Sequence, residues 1–137
     1  MHVFVTGGTG LIGRSLVKRL VMRGDEVTVL TRQSLTNEHS VTYITDIDQL
    51  ERVADVVVNL AGEGLAEKRW TERYKQKIRA SRVGLTETLV SLLTKMGAPK
   101  VFLSCSAIGY YGASESAQFS EQAVVNSEAK TEASNQV

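Results

Sequence analysis

Thr6-Gly7-Gly8-Thr9-Gly10-Leu11-Ile12-Gly13 follows the apolar run His2-Val3-Phe4-Val5 almost from the first residue. A strand, then Gly7, Gly10 and Gly13 at three-residue spacing, then an amphipathic stretch is the strand–turn–helix that cradles a dinucleotide pyrophosphate. Gly7 permits the tight turn off the strand. Gly10 lets the backbone approach the phosphates with no Cβ in the way, and Gly13 lets the helix pack close to the sheet. The helix N-terminus offers free N–H groups and the positive end of its dipole to the anion. Glycine-rich turns without ligands are common, so the flanks matter. Leu16, Val17, Leu20 and Val21 recur at helical spacing. Gly24 follows Arg23 as a cap, and Glu26-Val27-Thr28-Val29-Leu30-Thr31 reads as a second strand. The unit is a complete strand–helix–strand.

The chain has 137 residues, enough for one domain with a real core. Hydrophobic residues make up 42% and charged residues 23%, a globular balance rather than a disordered or fibrous one. A net charge of +1 gives no steering toward nucleic acid or a membrane surface. A strand begins at once, with no signal-type segment, and no apolar run has the length of a membrane span. Cys105 is the only cysteine, which excludes an internal disulfide. Together these lead to the expectation of a cytoplasmic protein. His2, His39 and Cys105 are not at metal-ligand spacing and read as ordinary strand and loop residues.

Further along, Gln33 to Ser40 reads as a polar loop, Val41-Thr42-Tyr43-Ile44 as a third strand, and Asp46 to Arg52 as a short helix or turn. Ala54 to Leu60 is a near-continuous apolar run, the mark of a strand covered on both faces. Trp70, Tyr74, Ile78, Leu85, Leu89, Leu92 and Met96, with Ser81 filling the gap, predict one long helix from Trp70 to Met96, about 40 Å at 1.5 Å per residue. Gly97 and Pro99 end it, and Lys100 to Ser104 is a fifth strand. This alternation predicts an α/β fold: a Rossmann-type parallel sheet with helices on both faces, reaching no further than its fifth strand. Residues 1–112 read as an NAD(P)-binding domain. Residues 113–137, rich in Ala, Ser, Glu, Gln and Asn, read as a polar and poorly ordered tail.

Arg32 ends the second strand, where NAD-specific folds place an acid for the ribose 2′-hydroxyl, and no acid occurs from Thr28 to Asn37. An arginine suits a 2′-phosphate, so the expectation is NADP, with NAD possible; a solvated loop arginine is the plainer reading. Lys68, Arg69, Arg73, Lys75, Lys77, Arg79 and Arg82 form a basic run that reads as a solvated helix face or as a contact for an acidic partner.

Ser104-Cys105-Ser106-Ala107-Ile108-Gly109-Tyr110-Tyr111-Gly112, Asn59-Leu60-Ala61-Gly62-Glu63, Lys68-Arg69-Trp70-Thr71, Ser81-Arg82-Val83 and the glycine turn stand in the order and spacing of one family. The chain resembles the extended short-chain dehydrogenase/reductase superfamily. Within it, the chain is similar to the NAD-dependent epimerase/dehydratase-like, sugar-nucleotide epimerase-like group often described only as "epimerase family protein". The resemblance runs from Met1 to about Ala123, as for the N-terminal, cofactor-binding part of a longer protein. It implies that Gly7, Gly10, Leu11, Ile12 and Gly13 hold the pyrophosphate. It places Thr31 and Arg32 at the adenosine ribose, Asp46 beside the adenine, and Leu60, Ala61 and Gly62 along the cofactor. It puts Ser106 at the active-site serine position. Asp46 reads equally as a cap of the short helix after it. The superfamily's Tyr-x-x-x-Lys pair is missing: no tyrosine follows Tyr111, and Asn126 stands four before Lys130. Tyr110 and Tyr111 then read as aromatic walls or as substitute proton donors, Tyr111 foremost. The implied function is hydride transfer at a hydroxyl or carbonyl carbon of a small polar or sugar-nucleotide-like substrate. The alternative is a nucleotide-binding or structural module without turnover.

Overall fold

The computed structural model describes residues 1–66, 68–106, 108–111, 116 and 118–123. Five parallel strands form one sheet in the order β3-β2-β1-β4-β5. They are β1 His2–Thr6, β2 Glu26–Leu30, β3 Val41–Ile44, β4 Val56–Asn59 and β5 Val101–Ser104. Each neighbour is in register, with Val3 opposite Val27 and Val56, and Val56 opposite Val101. The chain winds outward from β1 in one direction to β3 and in the other to β5. The winding reverses between β1 and β4, and open α/β sheets take ligands outside the carboxyl ends of the strands at such a point.

Alternation along the strands builds two cores. Val3, Val5, Val27, Val29 and Val58 face α1 (Leu11–Met22), which contributes Val17 and Leu20. Phe4, Ile44 and Val57 face the opposite side, where α3 (Leu85–Met96) contributes Leu89 and Leu93. Phe4, Val5, Val29 and Val57 are fully buried. The helices therefore cover both faces, as the apolar run at β4 predicts: Val57 serves one core and Val58 the other.

The predicted long helix exists, with two differences. It starts at Glu72, because Thr71 caps α2 (Glu72–Arg79) by accepting from the Tyr74 N–H. Trp70 stays outside and donates its indole N–H to the Leu65 carbonyl at 2.7 Å. Between α2 and α3 the helix widens into a π-type turn over Ala80–Gly84. A wide turn re-phases the apolar stripe. Leu93 is consequently the buried residue of the last turns, while Leu92 and Met96 flank the core half-buried.

A short 3-10 turn spans Ile47–Gln49, where a helix or turn is predicted. Gly24 closes α1 at φ 85°, a left-handed conformation that favours glycine. β5 carries less cover than the other strands: Val101 and Leu103 are 44% and 53% exposed. A second 3-10 turn covers Ile108–Tyr111. The predicted tail, 113–137, lies outside the described residues apart from 116 and 118–123, of which Phe119 stacks on Tyr111 with centroids 6.4 Å apart. No helix among the described residues is long and apolar enough to cross a membrane.

Candidate functional site

The turn between β1 and α1 is shaped by what its glycines cannot carry. Gly7 sits at φ 70°, and a Cβ there would lie 2.8 Å from the Leu60 carbonyl and the Ala61 nitrogen. The turn off β1 is thus pressed against the segment leaving β4. A Cβ on Gly13 would stand 2.2 Å from the Gly7 carbonyl oxygen. Gly13 therefore packs the helix against the turn itself; the glycine that meets the sheet is Gly8, whose Cβ would fall 2.7 Å from Val29. Gly10 differs from all three. Its Cβ would meet only the Gly7 carbonyl, at 3.2 Å, and the residue is exposed. No side chain caps α1, and its first turn holds no acid. The amides of Leu11, Ile12 and Gly13 precede the first N–H bonded within the helix turn, Arg14 to Gly10. Leu11 and Ile12 are exposed beside them, 86% and 65%.

Buried polar groups tie this turn to the neighbouring strands. The Thr6 hydroxyl donates to Asn59 Oδ1 at 2.6 Å and accepts from the Ala61 N–H at 3.2 Å. Asn59 Nδ2 donates to Thr86 at 2.9 Å and, longer, to Ser104 at 3.4 Å. One chain of hydrogen bonds thus crosses the carboxyl edge from β1 through β4 to β5 and α3. Thr6 and Asn59 are both buried, where an unpaired polar group is costly, so each needs its partners.

The segment after β4 is fastened to the π-type turn. Ser81 Oγ accepts from the Glu63 N–H at 2.9 Å and donates to the Ile78 carbonyl at 2.7 Å. Arg82 donates to the Glu63 carbonyl at 3.1 Å, and its guanidinium lies where a Cβ on Gly62 would come within 3.0 Å. The Tyr74 hydroxyl donates to the Gly64 carbonyl at 2.5 Å. Sequence reasoning marks Ser81 as a gap in the helix stripe, Arg82 as part of the basic run, and both as a family segment; their work as clamps of this loop depends on a widened turn that periodicity does not show.

Glu63 is the residue that sequence reasoning misses as part of the site. Its side chain is only 10% exposed, and its carboxylate pairs with Lys77 at 2.9 Å and with Arg32 at 3.6 Å. The Lys77 ammonium holds its carboxyl below the ordinary carboxylate range, against burial, which pushes it up. Arg32 itself is 89% exposed at the end of β2. An acid from the β4 loop thus lies beside the cation that follows β2. Its signal in the sequence is its place directly after Asn59-Leu60-Ala61-Gly62.

The other predicted residues fall as follows. Thr31 is buried, accepts from the Gln33 N–H at 3.2 Å and lies 3.5 Å from the Thr9 hydroxyl. Asp46 is exposed and caps the 3-10 turn in a reciprocal box with Gln49, accepting from the Asp48 N–H at 3.0 Å. Leu60 and Ala61 are half-buried and Gly62 is exposed, all beside the glycine turn. Ser106 is exposed just past β5, as is the free thiol of Cys105. Tyr111 is half-buried, edge-on to Tyr110 at 5.3 Å and stacked on Phe119. The structure gathers the turn, Arg32 and the β4 loop along one edge, with Ser106 at the end of the strand next to β4.

Comparison with known proteins bears on the fold and the family. The chain is 39% identical over 120 residues to an epimerase family protein of Staphylococcus saprophyticus, covering 80% of this chain and 39% of the relative. Among solved structures it is similar to the human epimerase family protein SDR39U1, solved with NADPH. There the TM-score is 0.75 and the identity 32%, over 87% of this chain and 41% of that one. A nucleoside-diphosphate sugar epimerase from Corynebacterium glutamicum matches at TM-score 0.64 and 34% identity, over 82% of this chain and 24% of that one. The chain thus spans well under half the length of these relatives. The signature of the NAD dependent epimerase/dehydratase family extends over residues 3–133, nearly the whole sequence, and the chain belongs to that family.

Proposed function

We propose that this chain is the NADP(H)-binding Rossmann domain of an epimerase-like short-chain dehydrogenase/reductase. In that reading, hydride moves to or from a hydroxyl- or carbonyl-bearing carbon of a small polar or sugar-nucleotide-like substrate. The observation that carries it is the first turn of α1. No side chain caps its amides, its first turn carries no acidic residue, and Gly10 leaves the approach clear of side chain. That is a fit for a pyrophosphate, which needs N–H donors and close backbone approach.

Gly7, Gly10, Leu11, Ile12 and Gly13 would hold the pyrophosphate, and Thr31 and Arg32 the ribose with its 2′-phosphate. Leu60, Ala61 and Gly62 would line the cofactor between. Asp46 would reach the adenine through the carboxylate oxygen that its cap leaves over. The bound nicotinamide supplies the hydride chemistry. Ser106 would donate a hydrogen bond to the substrate oxygen, and Tyr111 is the candidate to move the proton. A phenol with pKa near 10 needs a nearby cation to do so. The NADPH-bound human relative supports the cofactor class.

A second reading, a nucleotide-binding module without turnover, draws on the exposure of Ser106 and of the adjoining β5 face. Water exclusion and positioning supply much of an enzyme's rate, and an open edge provides little of either. Titration of NADPH and NADH by nicotinamide fluorescence, followed by a panel of sugar nucleotides, ketones and aldehydes read at the nicotinamide absorbance, tests both readings. Tight NADPH binding is expected, with little or no turnover by this chain alone. Equal affinities would overturn the NADP preference, and turnover lost in Ser106→Ala would overturn the non-catalytic reading.

A further inference from the structure

The contact between Arg32 and Glu63 joins two unlike partners. Glu63 is fixed: its side chain is 10% exposed and bonded to Lys77, its N–H to Ser81 and its carbonyl to Arg82. Arg32 is free to swing, with 89% of its side chain exposed. The segment just before Glu63 presses against the glycine turn, since the Ala61 nitrogen would lie 2.8 Å from a Cβ on Gly7. A fixed carboxylate therefore borders the path of the cofactor and touches the one cation that ends β2. A guanidinium 3.6 Å from a carboxylate attracts a second anion less than a lone guanidinium does.

Building on the NADP(H) reading above, we propose that Glu63 is a specificity-determining residue. It competes with the cofactor's 2′-phosphate for the Arg32 guanidinium and so limits the preference for NADPH over NADH. Lys77 sets the strength of this competition, because it shares the same carboxylate. NADH carries no 2′-phosphate, does not draw on Arg32, and is indifferent to the pair.

The test is titration of both cofactors against the unmutated chain, Glu63→Gln, Arg32→Ala and the double variant, with circular dichroism checking that each is folded. Glu63→Gln should tighten NADPH by about three- to tenfold, the scale of one partly screened charge contact. NADH should stay within about twofold, and the gain should vanish when Arg32 is also Ala, the coupling a double-mutant cycle reads. The proposal is overturned if Glu63→Gln changes both cofactors alike, leaves NADPH unchanged or weaker, weakens NADH alone, or keeps its gain without Arg32. Should Glu63→Gln fail to fold, the Arg32 Nε–H resonance of the unmutated chain serves instead. It should shift with NADPH and not with NADH, and the reverse or no shift overturns the proposal. If the unmutated chain binds neither cofactor, the functional reading itself falls. If it prefers NADPH and the ratio ignores Glu63, only this inference falls.

Discussion

The two ends of the sheet's carboxyl edge are built differently. At β1 and β4 the backbone is packed so tightly that three glycines have no room for a Cβ, and buried Thr6 and Asn59 bond across the strands. At β5, Val101, Leu103, Cys105 and Ser106 are exposed. The first end is complete within its own chain segments. Among the described residues, the second end leaves these side chains exposed. A fold of this kind can hold a cofactor before it can shape a substrate site. Binding and turnover should therefore separate experimentally.

Core truncation gives the largest contrast. Phe4→Ala should cost about 3–5 kcal/mol, the usual range for emptying a fully buried aromatic site. Leu103→Ala, at the open end, should stay within about 0.5 kcal/mol in denaturant unfolding. A Leu103 effect comparable to that of Phe4 would mean that β5 is as enclosed as β1.

The glycine turn allows a sharper cut. Gly13→Ala places a Cβ against the Gly7 carbonyl and should destabilise by about 1–3 kcal/mol, with cofactor binding lost. Gly10→Ala meets only the Gly7 carbonyl, at a tight 3.2 Å, and should lower the thermal midpoint less than Gly13→Ala does, yet weaken NADPH by about tenfold or more, ~1.4 kcal/mol. Identical behaviour of the two variants would show that the turn does only structural work. Arg32→Ala should weaken NADPH by about 1.5–3 kcal/mol, the worth of one charged hydrogen bond, and leave NADH nearly as before.

The smallest effect is one of pH. His2 is buried, with Nε2 against the Thr28 hydroxyl at 2.9 Å, and burial pushes its pKa below 6.5. The unfolded chain then takes up the proton first. Stability should be full above about pH 6.5 and decline as pH falls from there toward the folded value. His2→Phe should flatten that part of a melting-temperature profile; an unchanged slope would assign it to other groups.

The β1–α1–β2 unit was legible because everything that defines it is local: the glycine spacing, the Gly24 stop and the alternating valines. β4 was legible because a strand buried on both faces has a continuous apolar run. The start of α2 was legible in principle, since Thr71 before Glu72 is a capping signal, but the apolar stripe drew the boundary to Trp70. The π-type turn was not legible, because Ser81 in a gap of the stripe reads the same in a regular helix. Nor was the Arg32–Glu63 pair, which joins residues from two loops that meet only after β1 and β4 are side by side. What the sequence hid is the long-range part of the site, and that part sets charge and loop position.

The most direct measurement is a backbone amide NMR titration of the unmutated chain with NADPH. The largest shifts are expected at Gly10, Leu11, Ile12 and Gly13, with smaller ones at Arg32 and Ala61 and the smallest along Val101–Leu103. Saturable binding that leaves the Gly10–Gly13 amides unmoved, or no binding at millimolar NADPH, would contradict a dinucleotide site at this turn.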